Sequence, residues 1–353
     1  MSRPLLAVTI TAPTMAELRR RRDEASEADL VELRLDTVAD PDVAGALAGR
    51  QRPVIVTCRP TWEGGAFRGA EEERRRILGD ALTLGAEYVD VEARAGFDDL
   101  VTADRGRRIV LSRHDFEGVP ADLADLVRAM RATGAEVVKI AVTAHRLSDC
   151  LPLLELAAVV GGDQGVVAIA MGPFGAASRI LAGRFGSRWT YAGGEQQIGQ
   201  IALAELVNQY RFRHVTDSTG IYGLAGYPVS HSVSPAMHNA AFAAAGIDAV
   251  YVPLPSADAE DVVTFGRALG IKGLSITIPH KVSLLAHLDE VLPTAQSAGA
   301  VNTIRVQDGR WTGANTDIAG LLAPLAGRSD LTGLRAAVLG SGGAARAAAV
   351  GLA

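Results

Sequence analysis

Short apolar runs rich in β-branched residues recur along the first part of the chain, at residues 5–11, 30–36, 53–59, 88–92, 108–113, 137–142, 166–171 and 189–191. Amphipathic stretches at 15–26, 71–84, 123–132 and 147–160 separate several of them. Strand alternating with helix predicts a parallel sheet. Eight repeats over this length predict a closed (β/α)8 barrel of the TIM type, with its chemistry at the C-terminal ends of the strands. On periodicity alone a doubly wound open sheet is the alternative. A last amphipathic stretch, 200–213, gives way to polar residues 214–220, and a boundary is expected there.

The pattern then restarts. Strands are predicted at 221–225, 249–254 and 272–278, with helices at 236–245 and 257–269. Residues 301–307 and 311–313 read as a hairpin around Asp308-Gly309. A further strand at 334–339 leads into Gly340-Ser341-Gly342-Gly343-Ala344-Ala345-Arg346. Glycines between a strand and a helix suit a dinucleotide turn, because they let the backbone and the helix N-terminus approach a pyrophosphate. One strand and one helix cannot bury their own faces, so this last unit is expected to be incomplete as it stands. The α/β chain is therefore divided into a barrel (1–215), a second α/β domain (219–325) and the start of a Rossmann domain (331–353).

Composition narrows the function classes. With 48% hydrophobic and 21% charged residues, the chain has the apolar mass for real cores. A net charge of −5 gives no reason to expect nucleic acid or an acidic membrane as partner. Arginine runs at 19–22 and 74–76 read as solvated helix faces. Two distant cysteines, Cys58 and Cys150, suggest a reducing compartment. With no signal-like start and no long apolar span, a cytoplasmic protein is expected. No metal is called for.

Lysine is scarce: only Lys139, Lys272 and Lys281, against 32 arginines. Arginine stays charged and cannot act as an amine nucleophile, whereas a lysine can once burial lowers its pKa. Lys139 lies inside an apolar strand, where an unpaired ammonium is costly. Polar residues gather at the neighbouring predicted strand ends: Glu32 and Arg34, Arg59 with Glu63 following, His114, and Arg179. A lone histidine at a strand end is more often structural than catalytic. Together, an amine, an imidazole, carboxylates and guanidinium groups suit a small anionic, hydroxylated carbonyl compound. Lys139 would form an iminium and His114 would move a proton beside it.

These residues carry a resemblance. Glu32-Leu33-Arg34-Leu35-Asp36, Arg59 with Glu63-Gly64-Gly65, Ser112-Arg113-His114-Asp115-Phe116, Val138-Lys139-Ile140-Ala141 and Met171-Gly172 through Ser178-Arg179 resemble the type I 3-dehydroquinate dehydratases in residue and order. The resemblance implies a Schiff-base Lys139, a general acid/base His114 and an orienting Glu63, with no cofactor. It implies substrate contacts from Thr9, Glu32, Arg34, Arg59, Gln200 and Arg179, the last as a carboxylate clamp. In the closing loop, Gln196-Gln197-Ile198-Gly199-Gln200 stands where that family has Ser-Ala-Pro-Gly-Gln. Gln196 thus replaces a substrate-contacting serine, which implies an altered closure. A homodimer through the barrel is the expected assembly.

From residue 221 onward the chain resembles the shikimate dehydrogenases. The matching pieces are Ser232-Val233-Ser234-Pro235, Thr277-Ile278-Pro279-His280-Lys281, Val301-Asn302-Thr303, Asn315-Thr316-Asp317 and the glycine turn. This resemblance implies a catalytic pair Lys281 and Asp317, substrate contacts from Ser232, Ser234, Thr277 and Asn302, and NADP(H) at Gly340, Ser341, Gly342, Gly343 and Ala344. The incomplete last unit leads us to expect impaired hydride transfer and no saturable NADPH binding. Two readings stay open beside the fused enzyme of consecutive steps: a Schiff-base aldolase, and a second half that only binds. Lys272 has no assigned role.

Overall fold

The computed structural model describes residues 3–160, 164–194, 199–326 and 333–353. It divides into two compact units, one ending at Asp217 and the other running from Ser218, with Arg146–Ser148 grouped with the second.

In the first unit the β-branched runs become β1 (Leu5–Ile10), β2 (Leu30–Arg34), β3 (Val54–Thr57), β4 (Tyr88–Glu92), β5 (Ile109–Asp115), β6 (Val137–Thr143), β7 (Gly165–Met171) and β8 (Trp189–Ala192). All pair in parallel in the order β7-β6-β5-β4-β3-β2-β1-β8. A bridge between Val166 and Ser187, with the Arg188 N–H donating to the Val166 carbonyl at 2.7 Å, brings β7 back towards β8. The eight strands form a near-closed barrel, as the periodicity predicted, and the open-sheet alternative falls. Helix Leu123–Ala132 matches its expected bounds, and Met15–Glu24 is capped by the Thr14 hydroxyl accepting from the Glu17 N–H.

Two expected helices are corrected. Residues 147–160 break into Leu147–Cys150, Leu151–Leu154 and Leu156–Val160. Pro152 lacks the N–H needed to continue the preceding turn and can sit only at the start of a helix. Residues 200–213 contain a π-helical turn, Glu205–Gln209, and a 3-10 turn, Phe212–His214. Arg211 between them is left-handed, at φ 53°, and interrupts the helical bonding.

The second unit holds β9 (Gly220–Gly226), β10 (Ala249–Pro255), β11 (Gly273–Ile276), β12 (Glu290–Val291), β13 (Thr303–Gln307) and β14 (Arg310–Ala314) in the order β10-β9-β11-β13-β14-β12. Helices Ser234–Ala244 and Ala259–Leu269 follow β9 and β10. The β13–β14 turn has both central residues left-handed, Asp308 at 51° and Gly309 at 77°, as a tight hairpin requires. The strand expected at 334–339 does not form. A strand exists only where an edge accepts its hydrogen bonds, and among the described residues none pairs with it. Leu334 and Leu339 are exposed. Among the described residues no helix is long and apolar enough to cross a membrane.

Candidate active sites

Side chains alternate across a strand, and the barrel's inward positions are sorted by height. Nearest the strand N-termini, Ala7, Leu30, Ile55, Val110, Val137, Val167 and Trp189 form an apolar floor, with Tyr88 packed against it. Two residues further along come Thr9, Glu32, Thr57, Asp90, Ser112 and Lys139. The next step upward brings Glu92 and His114, with Arg59 just beyond β3.

Lys139 is buried on β6. Its Nζ donates to Asp90 Oδ2 at 2.9 Å and to Glu32 Oε1 at 3.5 Å, and lies 4.4 Å from the centre of the Tyr191 ring. Glu32 is held in turn by the Thr9 hydroxyl at 2.9 Å and the Thr57 hydroxyl at 3.0 Å. Arg59 donates to Glu92 Oε1 at 2.7 Å and to the Ser112 hydroxyl at 2.8 Å, and pairs with Asp90 Oδ1 at 2.9 Å. Arg34 forks onto Asp36 at 2.9 and 2.7 Å instead of onto Glu32. On β5, His114 gives its backbone N–H to Glu63 Oε1 at 2.8 Å and holds Nδ1 3.4 Å from the same oxygen.

Burial alone would lower the pKa of Lys139, yet Asp90 and Glu32 more than offset it and hold the amine above the usual lysine value. Burial does not neutralise this lysine: at rest it is an ammonium within an ion-pair cluster. Asp90 is the reciprocal case. Burial opposes its charge, but Arg59 and Lys139 keep it ionised below the usual carboxylate range. Burial, then the charge of Arg59, pushes His114 down to about 4 despite Glu63, so its imidazole is neutral near pH 7. Burial also opposes the Glu63 charge, but the two contacts with His114 hold this carboxyl low. Arg179, on Ala176–Ile180, is buried, and that burial alone pulls it down to about 10. The loop bearing Gln200 runs close to its own amide: a Cβ on Gly193 would lie 2.0 Å from Gln200 Oε1. Gln196 lies outside the described residues.

Of the sequence candidates, the barrel links Lys139, Glu32, Arg59 and Thr9 through one network of contacts, while His114 and Glu63 contact each other. Asp90, Glu92, Ser112 and Thr57 were missed. The signal was there: Asp90 and Glu92 share a face of a five-residue strand that is otherwise apolar. Arg74 was misread as solvated. It is fully buried and pairs with Glu92, its guanidinium 4.6 Å from the Phe97 ring.

In the second unit, Lys281 Nζ meets Asp317 Oδ2 at 2.5 Å, and the Asn302 amide donates to Asp317 Oδ1 at 2.7 Å. Asp317 opens Asp317–Leu322, where its backbone N–H is held by Asn315 Oδ1 at 3.0 Å. Ser234 opens Ser234–Ala244, and its N–H donates to the Ser232 hydroxyl at 3.2 Å. Thr277 follows β11 and gives its N–H to the Ala225 carbonyl at 2.9 Å. Helix Gly343–Leu352 starts from the glycine turn, with Gly340 at φ 123°. A Cβ on Gly343 would stand 2.6 Å from Lys281 Cβ, so the turn packs directly on that lysine. Lys272 is exposed.

Comparison with known proteins agrees with both halves. Residues 6–217 match the Type I 3-dehydroquinase family, and residues 224–304 match the Shikimate dehydrogenase substrate binding domain. A bifunctional 3-dehydroquinate dehydratase/shikimate dehydrogenase of Arabidopsis thaliana is 34% identical over 381 residues, covering 97% of this chain and 62% of the plant protein. A shikimate dehydrogenase (NADP(+)) of Citrifermentans bemidjiense is 50% identical over 144 residues, 39% of this chain and 49% of its own length. The crystal structure of 3-dehydroquinate dehydratase from Geobacillus kaustophilus aligns with 58% of this chain and 89% of its own, at 30% identity and a TM-score of 0.52. The chain thus spans 62% and 49% of the lengths of the two curated relatives.

Proposed function

The chain belongs to the type I 3-dehydroquinase family, and from that premise we propose that its barrel dehydrates 3-dehydroquinate to 3-dehydroshikimate through an iminium on Lys139. The observation that carries this is the register of β5 and β6. Ser112 lies opposite Lys139 and His114 opposite Ala141. The backbone of His114 therefore stands two residues, roughly 7 Å of strand, nearer the strand C-termini than that of Lys139. A ketone carbon bonded to Nζ would present its neighbouring methylene to His114.

Lys139 first gives up a proton, with Asp90 at 2.9 Å as the nearest acceptor. Its nitrogen attacks the ketone carbon, and the carbinolamine leaves water to give the iminium. His114, a neutral base, takes a proton from the adjacent carbon, and the electron pair flows into the iminium. The enamine so formed expels the β-hydroxyl, which departs as water with the proton from His114. Hydrolysis returns the first water and frees Lys139, so the net loss is one water. Arg179 would clamp the substrate carboxylate, while Thr9, Glu32, Arg34, Arg59 and Gln200 would receive its remaining polar groups. No cofactor enters this cycle.

The domain assignment belongs to the same reading: residues 1–215 are the dehydratase, 219–325 a shikimate-dehydrogenase substrate domain and 331–353 the opening of an NADP domain. Lys281 and Asp317 would hold and move the proton at the ketone oxygen of 3-dehydroshikimate, with Ser232, Ser234, Thr277 and Asn302 on its other oxygens. The glycine turn fits a pyrophosphate in part. The space beside Gly342 is open, whereas that beside Gly343 is filled by Lys281. Gly340, Ser341, Gly342, Gly343 and Ala344 would hold NADP(H) there, and the bound cofactor would supply hydride.

Formation of the conjugated enone product, followed by ultraviolet absorbance, tests the dehydratase reading. The intact chain is expected to turn over 3-dehydroquinate, and Lys139→Arg to lose at least about a thousandfold in kcat. A Lys139→Arg enzyme that keeps substantial turnover would contradict it.

A further inference from the structure

The Glu63 carboxylate has a partner that no catalytic role accounts for. One oxygen faces His114; the other, Oε2, accepts from Arg94 Nη2 at 3.1 Å. Arg94 sits in the turn after β4, which is pinned to β5 by the Ala93 N–H donating to the Ser112 carbonyl at 2.8 Å. Its guanidinium also donates to the Trp62 carbonyl at 3.3 Å and lies 5.2 Å from the centre of the Trp62 ring. Trp62 belongs to Thr61–Glu63, the same 3-10 turn that carries Glu63. Arg94 therefore grips both the carboxylate and the turn behind it, from the solvent side, with its own side chain half-exposed.

We infer that Arg94 is a positioning residue for acid–base chemistry at His114: it fixes the Glu63 carboxylate on the imidazole and withholds part of its charge from the ring. The groups facing His114 are Glu63 from the turn after β3, Arg59 at the end of β3, Asp90 from β4 and Lys139 from β6. The Phe116 ring stacks on it at 6.3 Å. Glu63 is the carboxylate in direct hydrogen-bond contact. With Arg94 in place its charge is shared; without Arg94 the full anion faces the ring and stabilises imidazolium, so the neutral base is lost at a higher pH on the acid side.

The inference rests on the proposed role of His114, and its test separates the two. In the full chain with labelled histidine, the His114 resonance is assigned by its loss in His114→Gln and titrated in the parent, Arg94→Gln and Arg94→Lys proteins. Arg94→Gln should raise the His114 pKa by roughly half a unit to one unit and move the acid limb of kcat in the same direction. Through the lost orientation of the Glu63 carboxylate on the ring it should also lower kcat about tenfold near neutral pH, where His114 stays neutral, while KM stays within about twofold. Arg94→Lys should recover most of both effects. Unchanged His114 titration in Arg94→Gln overturns the inference, as does a loss of kcat that lysine fails to rescue. A His114 shift in a protein that dehydrates nothing upholds the Arg94 contact and rejects the dehydratase reading instead.

Discussion

Among single residues, the proposed barrel site is at rest an ion-pair cluster. Lys139 and Arg59 share Asp90, and Arg59 and Arg74 share Glu92. Removing one member of such a buried cluster leaves others short of a partner, which costs more than the pair's net worth. Asp90→Asn is expected to destabilise the protein by about 3 kcal/mol in chemical denaturation. Asp90→Asn also removes the nearest acceptor of the Lys139 proton, so kcat should fall with it. His114 supplies a pH dependence of defined sign. Its folded pKa, about 4, lies below the ordinary histidine value, so an unfolded chain takes up a proton that the folded one refuses. Stability contributed by the neutral ring is present above the ordinary value, roughly pH 6.5, and is lost as pH falls towards 4. Unfolding curves across that window should show the loss, and His114→Gln should flatten this part of the profile.

Elements set where those residues stand. Gly65 follows the Glu63 turn, and a Cβ there would lie 2.0 Å from the Arg59 carbonyl oxygen. Gly65→Ala must therefore shift the backbone that places both Arg59 and Glu63. It is predicted to cost about 1–3 kcal/mol of stability and most of the activity. Gly118→Ala, with nothing within 4 Å of its Cβ, should leave both unchanged. The barrel strands were legible because a buried parallel strand is a short β-branched run, and Tyr88–Glu92 and Leu123–Ala132 match their expected bounds. Arg74 was lost in a run of arginines, although it shares a helical face with the buried Ile77, Leu78 and Ala81. The run's charge drew the reading to solvent; spacing held the answer. The strand expected at 334–339 fails for another reason: strand pairing depends on distant residues, which local β-propensity does not report.

For the whole molecule, the two proposed sites lie in two compact units, each centred on a lysine in an otherwise arginine-dominated chain. The proposed roles predict separable losses. Lys139→Arg should abolish dehydration yet leave shikimate binding by calorimetry unchanged, while Asp317→Asn should weaken that binding and leave dehydration intact. Loss of both properties in either variant would argue against independent sites. The covalent bond proposed at Lys139 can be captured by borohydride reduction followed by peptide mass spectrometry. With 3-dehydroquinate present, the reduced adduct should map to Lys139 alone and vanish in Lys139→Arg. An unmodified Lys139, or an adduct formed only with sugar phosphates, would contradict the account.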